Sequence, residues 1–148
     1  MHGAGVIEKI VERRTDGVTV YYYALKLTLD DVILFVPVDT SDEIGLRRVC
    51  SAQQARALLD ALPTIVRDAE QCWNRRYREN MLRIRSGDTE EVAKVVKNLL
   101  VRQNERGLST GEKKMLGSAK RILTSELALA LGHEPAEIEH ILDMRLCL

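Results

Sequence analysis

The hydrophobic period of this chain changes once, at Ser51, from two to 3.6, and that switch limits the folds open to it. Before it, apolar and polar residues alternate as in strands exposed on one face. Val6 to Arg14 places Val6, Glu8, Ile10 and Glu12 on one side and Ile7, Lys9, Val11 and Arg13 on the other. Asp16-Gly17 is a two-residue turn that accepts positive φ, so a second strand, Val18 to Leu29, folds back on the first. Asp30-Asp31 turns again into a third strand, Val32 to Val38. Pro37, which has no N–H for a ladder, puts that strand at a sheet edge. A fourth short strand is expected at Arg47 to Cys50. So few, so short strands predict a small, strongly bent sheet or partial barrel.

After Ser51 the signals are helical. Ser51 with Gln54 spells a capping box for a helix that Pro63 ends. A longer helix is expected from Asp68 to Arg85, closed by Gly87. Asp88 with Glu91 caps the next, whose apolar stripe is Val92, Val95, Val96, Leu99 and Leu100, and Gly107 stops it. Ser109 with Glu112 opens another, with Leu116, Ala119, Leu123, Leu127 and Ala130 on one face, up to Gly132. Pro135 suits the first turn of a last helix. The fold class is therefore α+β, a β module over 1–50 followed by an all-helical bundle over 51–148.

Charge separates along the same chain. Of 148 residues, 22 are basic and 22 acidic, but the balance is local. Residues 1–70 hold 8 basic and 11 acidic side chains, residues 71–125 hold 13 and 6, and residues 126–148 hold 1 and 5. A central block of +7 between two acidic ones points to an anionic partner for that block, or to no more than a solvated helical face. No apolar run nears the ~20 residues of a membrane helix, and no secretory address opens the chain. Cys50, Cys72 and Cys147 are odd in number and widely spaced, which fits a reducing cytoplasm better than a disulfide framework.

Enzyme motifs fall short. Gly3-Ala4-Gly5 lacks the third glycine of a dinucleotide loop, and Gly107 to Lys114 places Glu112 where a phosphate loop needs Gly-Lys-Ser/Thr. His133, Glu137 and His140 share a helical face without the His-Glu-x-x-His order of a zinc protease, so no metal and no cofactor is expected. The informative run is Trp73-Asn74-Arg75-Arg76-Tyr77-Arg78-Glu79-Asn80. Arginine forks match phosphate oxygens, and an aromatic ring among them can wedge between base steps. Trp73 also lies at helical spacing with Ala69, Tyr77, Met81 and Ile84, the pattern of a core stripe.

Seven segments then carry a resemblance that covers nearly the whole chain: HGAGVIE at His2, FVPV at Phe35, GLR at Gly45, WNRRYREN at Trp73, SGD at Ser86, RGLSTGEKKML at Arg106 and ILTSELALALG at Ile122. In this order they resemble the CarD/CdnL family of bacterial transcription regulators. The resemblance implies a Tudor-like β domain that binds the RNA polymerase β subunit. It implies a helical domain on promoter DNA at the upstream edge of the bubble, and a non-enzymatic, cytoplasmic, nucleoid-associated protein that stabilises the open complex. By this likeness Trp73 is the minor-groove wedge, Arg75, Arg76 and Arg78 hold nearby phosphate backbone, and Lys113 adds a contact. Arg13, with Phe35 and Pro37 of the Val-Pro segment, meets polymerase; Phe35 stands where some relatives have arginine. Relatives carry about a dozen more residues before His2, including a Tyr-Pro pair and the first barrel strand, so either the start codon is misassigned or the barrel is incomplete with that strand missing. The competing expectation is a module that binds polymerase or a repair factor without touching DNA.

Overall fold

Asp16 and Gly17 both take positive φ, 52° and 78°, and this tight turn folds strand β1 (Gly5–Thr15) onto β2 (Val18–Leu27). The computed structural model describes residues 2–146. Strand β3 (Ile33–Pro37) pairs with the other side of β2, so the sheet is an antiparallel meander in the order β1-β2-β3. Pro37 sits opposite Tyr22 on an edge strand, where its missing N–H costs no ladder bond. The register slips between Ile7 and Lys9. Ile7 therefore faces Leu25 and Ile10 faces Tyr23, which brings both isoleucines to one side of the sheet. Strict alternation placed them on opposite sides; a bulge at Glu8 is the reason they are not.

The expected fourth strand does not form. Arg47 to Cys50 is irregular, because its polar groups are spent on the helical half: Arg47 bonds the Gly87 carbonyl and the Glu126 carboxylate, and the Cys50 N–H donates to Glu126. A single helical turn, α1 (Ser41–Ile44), precedes this stretch.

The helices are α2 (Ala52–Ala61), α3 (Trp73–Arg85), α4 (Thr89–Glu105), α5 (Thr110–Leu131) and α6 (Pro135–Leu146). Both capping boxes form, at Ser51/Gln54 and Ser109/Glu112, and Gly132 ends α5 in the left-handed conformation. Asp88 caps α4 through the Glu90 N–H alone, while Glu91 turns instead to Lys94 and Arg83. Helix α3 begins at Trp73 rather than Asp68. Residues 65–72 run as a non-helical strap, held by Arg67–Glu105, Asp68–Arg83 and Glu70–Arg106 pairs that a helix would pull apart.

Helix α5 is the axis of the helical half, packing on α2, α3, α4 and α6. Leu99, Leu123, Leu127, Ile138 and Leu142 are fully buried around it, with Leu62 of the 3₁₀ turn after α2. The apolar cluster they build contains no residue of the sheet.

Candidate nucleic-acid interface

Trp73 opens α3 at the surface. It keeps 44% of its area exposed and lies outside the apolar cluster, whereas Tyr77, one turn on, packs against that cluster. The two rings stack at 4.9 Å between centroids and 20° between planes. Three residues at the start of α5 make the seat. The indole Nε1 donates to Ser109 Oγ at 3.1 Å, and Gly111 leaves room that a Cβ would narrow to 3.4 Å from Tyr77 Cε2 and 3.9 Å from Trp73 Cζ2. Ser109 in turn donates to Glu112, a residue only 1% exposed. Of the expected stripe, Ala69 falls in the non-helical strap and is exposed, and Trp73, the first member on the helix, reaches solvent, while Tyr77, Met81 and Ile84 face the core.

The arginines divide. Arg76 turns inward: its guanidinium lies within 2.6 Å of the Glu112 carboxylate and also donates to the Gln71 carbonyl. Burial pushes the Glu112 carboxyl up, but the hydrogen bonds from Arg76 and the Ser109 backbone outweigh it and hold the carboxyl below the ordinary range. Arg75 is exposed and pairs one turn along with Glu79, whose carboxyl it lowers by donating to it. Arg78 points to solvent with no ion-pair partner among the described residues.

Lys113 and its neighbour Lys114 are likewise exposed and unpaired among the described residues, near the start of α5, the helix whose first residues seat the tryptophan. Sequence reasoning passed over Arg85, which is exposed and follows Arg78 by seven residues, two turns along the outer face of α3. That i, i+7 spacing was the available signal. Lys120 and Arg121 leave this surface for Asp143 and Asp30. The arrangement is an exposed ring held by two helices that also carry free cations; such a ring can stack on or wedge between bases while the cations meet phosphate.

A second constellation lies on the sheet. The Arg13 guanidinium sits 4.8 Å from the Phe35 ring centroid and 5.6 Å from that of Tyr22, so one residue from each strand meets there. Pro37 is the ladder neighbour of Tyr22 on the same face. The expected polymerase residues Arg13, Phe35 and Pro37 are thus adjacent, with Phe35 45% exposed. His133 Nδ1 is 2.7 Å from Glu137, and no cluster of three or more metal-ligating side chains exists among the described residues. Among the described residues, no helix is long and apolar enough to cross a membrane.

Residues 1–50 match the CarD-like/TRCF RID domain, and residues 50–143 match the C-terminal domain of CarD. The chain belongs to the CarD family. A relative in Bacillus subtilis (strain 168), YdeB, which is put forward as a transcription factor, is 29% identical over 139 residues, 94% of this chain and 91% of YdeB. The CarD family is one of transcription factors, and the two constellations fall one in each matched part. The α+β architecture expected from the sequence stands.

Proposed function

We propose that this CarD-family protein regulates transcription by holding the RNA polymerase β subunit with its sheet and promoter DNA with its helical half, and so prolongs the open complex. The observation that carries the reading is the exposed, seated ring of Trp73 on the two helices that also carry the unpaired cations Arg78 and Lys113. A tryptophan held by a hydrogen bond, a stacked tyrosine and a glycine floor loses little freedom on insertion, so more of its stacking energy remains for the bubble edge. Arg75 and Arg78 reach the flanking phosphates, while Arg76 contributes by locking the start of α3 to α5. On the sheet, the Arg13 guanidinium is held by two rings in a pose suited to a carboxylate or a carbonyl of the polymerase, and Phe35 supplies an apolar contact. Two modest contacts on one chain reinforce each other through effective concentration.

The test is Trp73→Ala in a promoter assay with RNA polymerase. The lifetime of the open complex should shorten about tenfold, the loss of roughly 1.4 kcal/mol from a removed base-stacking contact, with the helical circular dichroism retained. Unchanged lifetime with a folded protein overturns the wedge. A variant with Arg75 and Arg78 reversed in charge separates the rival: if promoter output is unaffected, the protein binds polymerase without DNA.

A further inference from the structure

The two constellations share a helix. At its start, α5 seats Trp73 through Ser109 and Gly111 and fixes Arg76 through Glu112. Seventeen residues on, about 25 Å at 1.5 Å per residue, the same helix holds the sheet. There the contacts are polar and specific. Glu126, 4% exposed, takes Arg47 on both carboxylate oxygens at 2.6 and 3.0 Å, the Cys50 N–H at 3.2 Å and the Thr89 hydroxyl at 3.0 Å. One carboxylate thus gathers the exit from the sheet and the first turn of α4. Its neighbour Ser125 accepts the Ala4 N–H at 2.8 Å, just before β1. Gly3 approaches so closely that a Cβ would lie 2.6 Å from Ser125 Oγ. Arg121 reaches Asp30 in the β2–β3 turn at 2.6 Å. The helical core includes no sheet residue, so these pins rather than a shared apolar interior set the angle between the halves.

We infer that Glu126 is a positioning residue that, through Arg47, Cys50 and Thr89, fixes the sheet's Arg13–Phe35 face at a set distance and angle from Trp73. Promoter action depends on that geometry and not only on the two contacts. The inference rests on the proposed function for its promoter readout, but its geometric part stands alone. A two-point tether gains from linkage only if both sites can be engaged at once. Four donors on one buried carboxylate leave the linker few alternative directions, whereas a loose joint spreads the same effective concentration over many unproductive poses.

Glu126→Gln tests it, because the amide keeps the shape but loses the ion pair and one acceptor. Arg47 is close enough to water to be solvated when released, so the fold survives. Nitroxides on Arg14→Cys and Glu134→Cys, with Cys50, Cys72 and Cys147 replaced by serine, report the interdomain distance by double electron–electron resonance. The full chain is compared for polymerase binding, DNA binding and open-complex lifetime. The expected result is a broadened distance distribution and a lifetime reduced on the order of tenfold, with each separate affinity within about twofold of wild type. A distribution as narrow as wild type overturns the inference, as does a broad one with wild-type lifetime, or equal loss of both separate affinities. Should Glu126→Gln melt early, Arg47→Lys keeps the charge, loses the two-pronged fork, and is read the same way. If the wild-type protein itself leaves the lifetime unchanged, the proposed function fails, and the distance distribution alone decides the positioning role.

Discussion

Arg76 and Arg78 are two residues apart on one helix, yet their surroundings give them opposite consequences on mutation. The Arg76 side chain is 15% exposed and that of its partner Glu112 is 2% exposed. Arg76→Ala strands a buried carboxylate that also closes the α5 capping box and receives the Ser109 hydroxyl under Trp73. Removing one partner of a buried pair costs about 3–5 kcal/mol. With a urea m-value of ~1.5 kcal/mol/M, the midpoint should fall by about 2–3 M. Arg78→Ala, at an exposed position, should move it by no more than ~0.3 M, the surface-mutation range of about 0.5 kcal/mol divided by the same slope. A pH series sharpens the test. Because the Glu112 carboxyl is depressed in the folded state, its contribution is complete above the ordinary glutamate value of ~4.3 and is lost as pH falls through the lower folded value. In Arg76→Ala burial is opposed only by the Ser109 hydrogen bonds and by Arg102 at 4.0 Å, so the carboxyl takes up a proton more readily and the gap between variant and wild type should narrow in acid. Replacing both members by apolar side chains of similar length, Arg76→Met with Glu112→Leu, should recover most of the loss. A midpoint for Arg76→Ala within ~0.3 M of wild type, together with weakened DNA binding, refutes the division and makes Arg76 a phosphate ligand.

Three further outcomes follow from the same contacts. Ser109→Ala removes the α5 N-cap and the indole acceptor together, so stability should drop by about 1 kcal/mol and the emission of the single tryptophan should shift; a drop without a shift means that the Nε1 bond does not hold in solution. Leu123→Ala, at a fully buried site beneath the bundle, should cost about 2–5 kcal/mol by urea unfolding. DNA affinity should fall with salt along a log–log slope no steeper than about −4, and Arg78→Ala should flatten it by about one; a salt-independent affinity refutes the basic face.

What was legible in the sequence was what short range determines. Asp16-Gly17, Ser51/Gln54, Ser109/Glu112 and Gly132 each act within a turn or four residues, and each appears as written. The Trp73 ring was legible as an aromatic among arginines, but its exposure was not. Helical spacing cannot tell the inner part of a stripe from its end, where the neighbouring helix has run out. Long-range pairs caused the other departures. Helix α3 starts late because the carboxylates of Asp68 and Glu70 are claimed by Arg83, near the far end of α3 itself, and by Arg106, just past the end of α4. Arg47 to Cys50 is no strand because Glu126, more than seventy residues away, takes its donors. The bulge at Glu8 exchanges faces for Ile7 without leaving a mark in composition.

The charge of the middle block is the clearest case of a sum that must be resolved into pairs. Its 13 cations and 6 anions give +7. Arg83, Arg102 and Arg106 are answered by Asp68 and Glu70, which the sequence counts in the acidic first block, and Lys120 and Arg121 by Asp143 and Asp30 from the two ends of the chain. Acidic residues outside the block therefore neutralise cations inside it. Arg76 is consumed by Glu112 and Arg75 is shared with Glu79. The exposed cations left without a partner among the described residues are Arg78 and Arg85 on α3, and Lys113 and Lys114 on α5. All four lie on the two helices that also hold the indole. A diffuse basic block would bind any nucleic acid through counterion release alone. Pairing most of it off leaves a few free charges on the helices that hold one aromatic ring, so under the proposed function the ring's fit at a distorted base step, rather than bulk attraction, is expected to set where the protein is held.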